Sequence, residues 1–316
     1  MASSKTAPKT SKPTQKKTPP TQLAVAFSGG LDSTVLLHAT IKAHGKKNVH
    51  AFHVHHGIQK EADQWQAHCK AVVKKFGCHF DTRNVKLNKQ SNIESQARNL
   101  RYEALTQMCE AHKIQDLLLA HHLDDQAETV LLGLARGSGT RSLSGMATVN
   151  GKYARPFLQL TRLQTVAACE EVAITPWNDP HNANEKFSRV RVRNKVMPVM
   201  EEEIGPGIAA ALSRSAAILR DDADALDEMA QAVISRVDLK DLDCAALAEL
   251  PRAIRSRILR AAIYAAGAPG GSISADHLAA VEALVTSWRG QGEASLPGGV
   301  KVARISGRLS LLARPN

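Results

Sequence analysis

Residues 23–33 read Leu23-Ala24-Val25-Ala26-Phe27-Ser28-Gly29-Gly30-Leu31-Asp32-Ser33. An apolar run of strand type is broken by two glycines. A helical pattern follows from about Ser33 to Ala43, with Val35, Leu36, Leu37, Ala39 and Ile41 as its apolar residues. A strand, a tight glycine turn and a helix start in succession leave several backbone N–H groups unpaired and pointing one way. With the helix dipole behind them, such groups bind anions, most often phosphate. Ser28, Ser33 and Thr34 add hydroxyls. Asp32 would repel a phosphate unless a cation such as Mg2+ lay between them. Neither G-x-x-x-x-G-K-S/T nor a post-strand G-x-G-x-x-G occurs in the chain, so the two common nucleotide loops are excluded.

Downstream, strands alternate with helices of ten or more residues. Strands are expected at Val49–Val54, His79–Val85 and Asp116–Ala120; helices at about Lys60–Phe76, from an Asn92 cap to His112, and at Leu123–Arg136. This order predicts an α/β fold with a doubly wound parallel sheet, whose ligands sit beyond the carboxyl ends of the strands. Ser28–Ser33, His53–Gly57 and His121–Asp125 all fall at that edge. The stretch after Arg136 is loop-rich, a helix is expected from about Thr161 to Val172, and a short basic helix from Ser188 should stop near Pro198. Gly205-Pro206-Gly207 marks a boundary. Beyond it the pattern is mainly helical, ending in a β-like stretch, Glu293–Leu312. The expected domains are 23–204 and 205–316, preceded by a tail, 1–22.

The chain has 316 residues, a net charge of +11 and five cysteines, with no C-x-x-C. The tail carries five lysines and no acid, a composition that predicts disorder. Without those five charges the remainder still carries +6, which favours a polyanionic partner such as RNA. Neither a zinc site nor a disulfide framework is suggested by the cysteine spacing. No run approaches a membrane span or a signal peptide, so a soluble, cytoplasmic protein is expected.

Two further strings carry chemistry. In Glu94-Ser95-Gln96-Ala97-Arg98-Asn99-Leu100-Arg101-Tyr102, helical spacing sets Glu94, Arg98 and Arg101 on one face. Two guanidiniums together suit a phosphate, although a solvated Glu–Arg pair accounts for the same spacing. In Ala120-His121-His122-Leu123-Asp124-Asp125-Gln126-Ala127-Glu128-Thr129, the acids read as helix-start residues. Asp125 and Glu128 form a negative pocket suited to a cationic substrate, and no matching fourth ligand points to a transition metal.

The Ser-Gly-Gly-x-Asp-Ser string resembles the signature of the PP-loop (N-type) ATP pyrophosphatases. Taken with His53-Val-His-His-Gly57, Glu94–Leu105, Leu119–Thr129, Arg136–Met146, Trp177–Pro180 and Phe187–Pro198, the chain resembles, in order and spacing, the tRNA(Ile)-lysidine synthase family. The match is strong from Leu23 to Met200 and weaker to Leu296–Gly299 and Gly307–Leu312. Two departures stand out. His55 replaces a usual Asn, and Val190 stands where an Arg-Asn-x-Ile-Arg pattern has a polar residue. The chain also looks like a short form, without the extra C-terminal domain of longer relatives.

The resemblance implies a ligase that uses ATP with Mg2+ and needs no zinc or iron–sulfur cluster. It would join L-lysine to C2 of the wobble cytidine of a CAU-anticodon tRNA(Ile) through an adenylated base. It implies a nucleotide-binding set of Ser28, Gly29, Gly30, Leu31, Asp32, Ser33, His53 and His121, with Asp32 also facing the metal. The implied catalytic set is Asp32, Arg98, Arg101, Asp125, Glu128 and Arg193. Asp125 and Glu128 would take the lysine ammonium, Arg193 a phosphate or the lysine carboxylate, and His121 or a carboxylate the proton shed by the amine. The helical domain would grip tRNA, with Arg252, Arg255 and Arg260 as candidates. A homodimer is compatible with the resemblance. The rival readings are a tRNA thiolation enzyme of the same superfamily and a non-catalytic RNA-binding relative.

Overall fold

The computed structural model describes residues 21–55, 62–86, 93–178 and 184–312. The expectations for the body of the basic tail, for the His56–Gly57 turn and for the Asn92 cap lie outside the described residues. The chain divides into two compact units. The first runs to Leu132 and resumes over Met146–Ala211; the second comprises Gly133–Gly145 and the chain from Leu212 on.

In the first unit, β1 (Leu23–Ala26), β2 (Val49–His55), β3 (His79–Asn84) and β4 (Asp116–Leu118) are joined by α1 (Leu31–His44), α2 (Ala62–Phe76) and α3 (Ile93–His112). α4 (Leu123–Leu134) follows, then α5 (Thr140–Leu143) in the second unit, and the hairpin of β5 (Val149–Asn150) and β6 (Tyr153–Ala154) back in the first. The sheet order is β3-β2-β1-β4-β6-β5, parallel except for the β5–β6 pair. Side-chain alternation sorts this sheet into two cores. Val25, Phe27, Val49 and Ala51 join Leu36, Cys69 and Cys169 on one face, while Ala24, Ala26 and Phe52 join Leu105, Met108 and Leu117 on the other. Both faces are covered, which is why these strands read as nearly continuous apolar runs.

α6 (Arg162–Val172) starts at a Thr161–Gln164 capping box. The basic segment departs from expectation. α7 (Ser188–Arg191) does not stop near Pro198 but passes through a π-helical turn, Val192–Val196, into α8 (Met197–Glu203). Pro198 has no N–H to give an i−4 carbonyl. The chain widens by one residue just before it, and the Met197 N–H reaches Val192 O.

The second unit is less exclusively helical than its sequence suggests. α9 (Ile208–Ile234) leads into it, followed by β7 (Asp241–Asp243), α10 (Cys244–Ala248), α11 (Arg252–Ala265) and α12 (Ala275–Thr286), the last capped by Ser274. β8 (Ala294–Ser295), β9 (Lys301–Ile305) and β10 (Arg308–Leu312) complete an antiparallel sheet of order β7-β10-β9-β8. Leu242, Ile258, Ile263, Val281, Leu284, Val302 and Leu309 form its core.

Arg255, read from sequence as a candidate RNA contact, is buried in this unit instead. It donates to Glu282 Oε1 at 2.9 Å and to the carbonyls of Ala248 and Leu250 at 3.2 and 2.8 Å. Those carbonyls lie around the end of α10, where α-helical partners run out. Arg255→Met therefore leaves the Glu282 carboxylate buried and short of its main partner, at a cost of about 3–5 kcal/mol. Arg252→Ala, at an exposed arginine on the same glutamate, costs under about 1 kcal/mol. Urea unfolding of the two variants measures the difference.

Candidate active site

The turn between β1 and α1 takes the shape its sequence requires. Gly29 has φ +79°, and a Cβ there would stand 2.7 Å from Cys69 Sγ. Only glycine meets both demands. Gly30 begins α1 with no side-chain cap, so the first-turn N–H groups of a 14-residue helix are left for a ligand. The hydroxyls behave differently from one another. Ser28 and Ser33 Oγ atoms pair at 3.1 Å, but Thr34 is fully buried and donates to Gly30 O at 2.9 Å, so it supplies no ligand donor.

A cavity of about 470 Å³ opens on this turn in the first unit. Ser28, Gly30, Leu31, Asp32 and Ser33 line it together with Arg101, His121 and Arg193. Of the residues proposed from sequence, His53 lines an adjoining cavity of about 70 Å³, which shares Ala26, Ser28 and Arg101 with the first. The His53 ring bonds Phe27 O at 3.0 Å, and burial lowers its pKa. Arg98 is not brought to either cavity. It is exposed, with its guanidinium 5.4 Å from the Tyr102 ring centre. The Glu94 side chain lies outside the described residues. Arg162, Trp177 and Asn178 line the main cavity and were not singled out as site residues. Only their position in the fold identifies them.

Charge in the site is unevenly matched. Burial lowers the Arg101 pKa from its ordinary value, Arg98 adding to the effect and Tyr102 opposing it. Among the described residues Arg101 has neither hydrogen bond nor ion pair. It remains a cation and needs an anion. Arg193, carried by the π turn, is well matched: Nε donates to Glu128 Oε1 at 2.6 Å and Nη2 to Asp125 Oδ1 at 3.0 Å. Glu128 is 1% exposed. Burial raises its pKa against the pull of Arg193, and Arg189 stands 3.6 Å away. Glu128 therefore orients Arg193, a lining residue, and is not itself part of the lining.

Asp32 accepts from the Thr165 hydroxyl at 2.7 Å, which leaves Oδ2 3.9 Å from His122 Nε2. His122 is buried among Asp32, Asp124 and Asp125. Burial opposes its charge, but Asp124, 3.4 Å from Nδ1, and the charges of Asp125 and Asp32 outweigh it and raise the pKa. Its neighbour His121 goes the other way. Burial lowers it to about 3, with Arg101, Arg155 and Arg189 adding to the effect against Asp125.

These two histidines give opposite pH dependences. Unfolded, both titrate near 6.5. As pH falls from there towards about 3, the unfolded chain takes a proton at His121 that the folded chain refuses, so stability is lost. His122 contributes fully below pH 6.5 and loses that contribution as pH rises through its raised folded value. His121→Asn should flatten the acid side of the urea-midpoint profile, and His122→Asn the side above 6.5.

Comparison with known proteins agrees with this geometry. Residues 3–200 match a PP-loop domain and residues 242–310 a TilS substrate-binding domain. A tRNA(Ile)-lysidine synthase of Thermobifida fusca is 43% identical over 92% of this chain and 91% of its own length. One of Streptomyces coelicolor is 43% identical over 90% and 83%. Among solved structures, a U34-tRNA thiolase from Methanococcus maripaludis superposes with a TM-score of 0.55 at 17% identity, covering 64% of this chain and 74% of that one, which shows a shared fold. With a PP-loop turn at the mouth of its cavity and such relatives along nearly its whole length, the chain belongs to the tRNA(Ile)-lysidine synthase family.

Proposed function

We propose that this protein joins L-lysine to C2 of the wobble cytidine of a CAU-anticodon tRNA(Ile), with ATP converted to AMP and pyrophosphate. The observation that carries the nucleotide half is a half-buried Arg101, without an ion pair or hydrogen bond among the described residues, in the same cavity as the uncapped start of α1. Both want an anion, and a triphosphate satisfies both. The names of the relatives support the lysine and the tRNA.

In the first step, cytosine O2 attacks the α-phosphorus and the bond to pyrophosphate breaks. The Leu31–Ser33 N–H groups and Ser28 hold the phosphates, while Arg101 and Arg193 offset the charge that gathers as the bond breaks. The donors present suit a magnesium ion bound mostly by phosphate oxygens, because Asp32 is the one carboxylate among the residues lining the cavity. Asp32 would hold that ion, which when bound screens phosphate charge. In the second step the ε-amine of lysine attacks C2, the C2–O bond breaks and AMP leaves. Asp125 and Asp32 offer the negative charge that attracts the ammonium. His121, neutral at physiological pH, is an acceptor for the proton the amine sheds, though a weak one.

Thiolation is the less favoured chemistry. Burial raises the pKa of all five cysteines, Cys69 to about 12 and Cys78 to about 11, so none is a ready thiolate. Among the described residues no group of His, Cys, Asp and Glu is arranged to hold a metal ion by itself, and no helix is long and apolar enough to cross a membrane.

A second cavity, about 750 Å³, lies within the second unit and is lined by Arg141, Arg257 and Arg260. Arg257 pairs with Asp227 at 2.6 Å and Arg141 with Asp224 and Asp227, whereas Arg260 is exposed and has no ion pair among the described residues. Arg260 is the cation there best placed to meet an RNA phosphate.

Incubation with ATP, Mg2+, labelled lysine and the CAU-anticodon tRNA(Ile) should give acid-stable label in the RNA. Asp32→Ala should abolish it, and Arg101→Met should lower the rate by about 10²–10³-fold. AMP release without label would shift the reading to another nucleophile, and neither product would refute it. Arg260→Ala should weaken tRNA binding and reduce the slope of log affinity against log salt by about 1.

A further inference from the structure

Two tryptophans from distant parts of the chain take hold of the phosphate-binding turn. Trp65, on α2, donates its indole N–H to Ser28 O. The backbone N–H of Trp177 donates to the next carbonyl, Gly29 O, at 2.8 Å. The two rings stack, with centres 6.2 Å apart and planes 8° from parallel. Trp177 lines the main cavity and Trp65 the smaller one beside it. Among the described residues the buried Trp177 indole nitrogen has no partner, so stacking rather than its own N–H fixes the ring there.

The consequence follows from peptide planarity. A trans peptide holds its C=O and N–H on opposite sides, so anchoring a carbonyl also aims the following N–H. Fixing Ser28 O and Gly29 O therefore sets the directions of the Gly29 and Gly30 N–H groups. Glycine has the freest backbone of any residue, and two in succession would otherwise sample several orientations.

We propose that Trp65 and Trp177 form a clamp that fixes these two peptide planes, which makes both tryptophans positioning residues for ATP. This rests on the nucleotide reading above. It predicts a defect that falls mainly on ATP, because the clamp holds the Ser28 and Gly29 carbonyls, whereas Asp32, the one residue of this stretch also assigned to lysine, lies beyond both on α1.

Three variants test it. Trp65→Phe keeps a stacked ring and removes the donor to Ser28 O. Trp177→Ala keeps the backbone donor and removes the ring. Trp177→Phe restores a ring. Each is first checked by thermal melting, then titrated with MgATP by calorimetry and assayed for tRNA-dependent AMP formation. Trp65→Phe and Trp177→Ala should each raise the ATP Kd and the ATP KM by about tenfold. The lysine KM and kcat should stay near wild type, and Trp177→Phe should recover most of the ATP affinity. Folded variants with an unchanged ATP Kd would overturn the clamp, as would a fall in kcat with both KM values unchanged. Wild-type protein that binds MgATP without transferring lysine would refute the ligase reading alone, since the Kd comparison still judges the clamp. Wild-type protein that binds no MgATP would overturn both.

Discussion

The site depends on one constraint: the first-turn backbone N–H groups of α1 are not capped by a side chain. Unpaired donors cost free energy wherever they are removed from water. They persist here because β1 ends, Gly29 turns at φ +79°, and α1 begins without a cap. Helix α2 packs against Gly29 closely enough that Cys69 Sγ fills the place of a side chain. The apolar sorting of the sheet serves the same end, since it fixes where β1 stops and therefore where the open donors lie.

Around that turn, charges are handled in two ways. Arg193 is tied to two carboxylates, one almost fully buried. Such pairs add little net stability, because desolvation offsets the attraction, but they give a side chain a defined direction. Among the described residues Arg101 has no such partner, and an anion would offset its desolvation. A guanidinium fixed in advance and another waiting for charge divide the work of orientation and affinity. The adjacent histidines divide similarly, His122 being favoured as a cation by three carboxylates and His121 as a neutral ring by burial, with nearby arginines adding to it.

The first sheet could be read from sequence because its central strands are buried on both faces and separated by helices of ordinary length. β5 and β6 could not, being two residues each with Val149 exposed, and β7, Asp-Leu-Asp, offers a single buried side chain. Motif reading found the turn, Asp32, Arg101 and Arg193, all of which face one cavity. It missed what depends on distant partners. Glu128 looks like a free acid until Arg193, 65 residues later, covers it. Arg255 looks like a surface cation until Glu282 and three carbonyls enclose it. The continuation past Pro198 was missed because a helix can widen by one residue where proline would otherwise end it.

Residues 133–145 belong with the second unit although the first unit's sequence lies on both sides of them. On the ribosome, therefore, Arg141 is made well before Asp224 and Asp227, the acids it pairs with. At roughly 5–20 residues per second the interval lasts several seconds. During that time the loop is a stranded piece of a fold that does not yet exist, while the remainder of the first unit is completed. Synthesis thus imposes an order, with the glycine turn and its sheet available first and the second unit closing last on a segment that has been waiting for it.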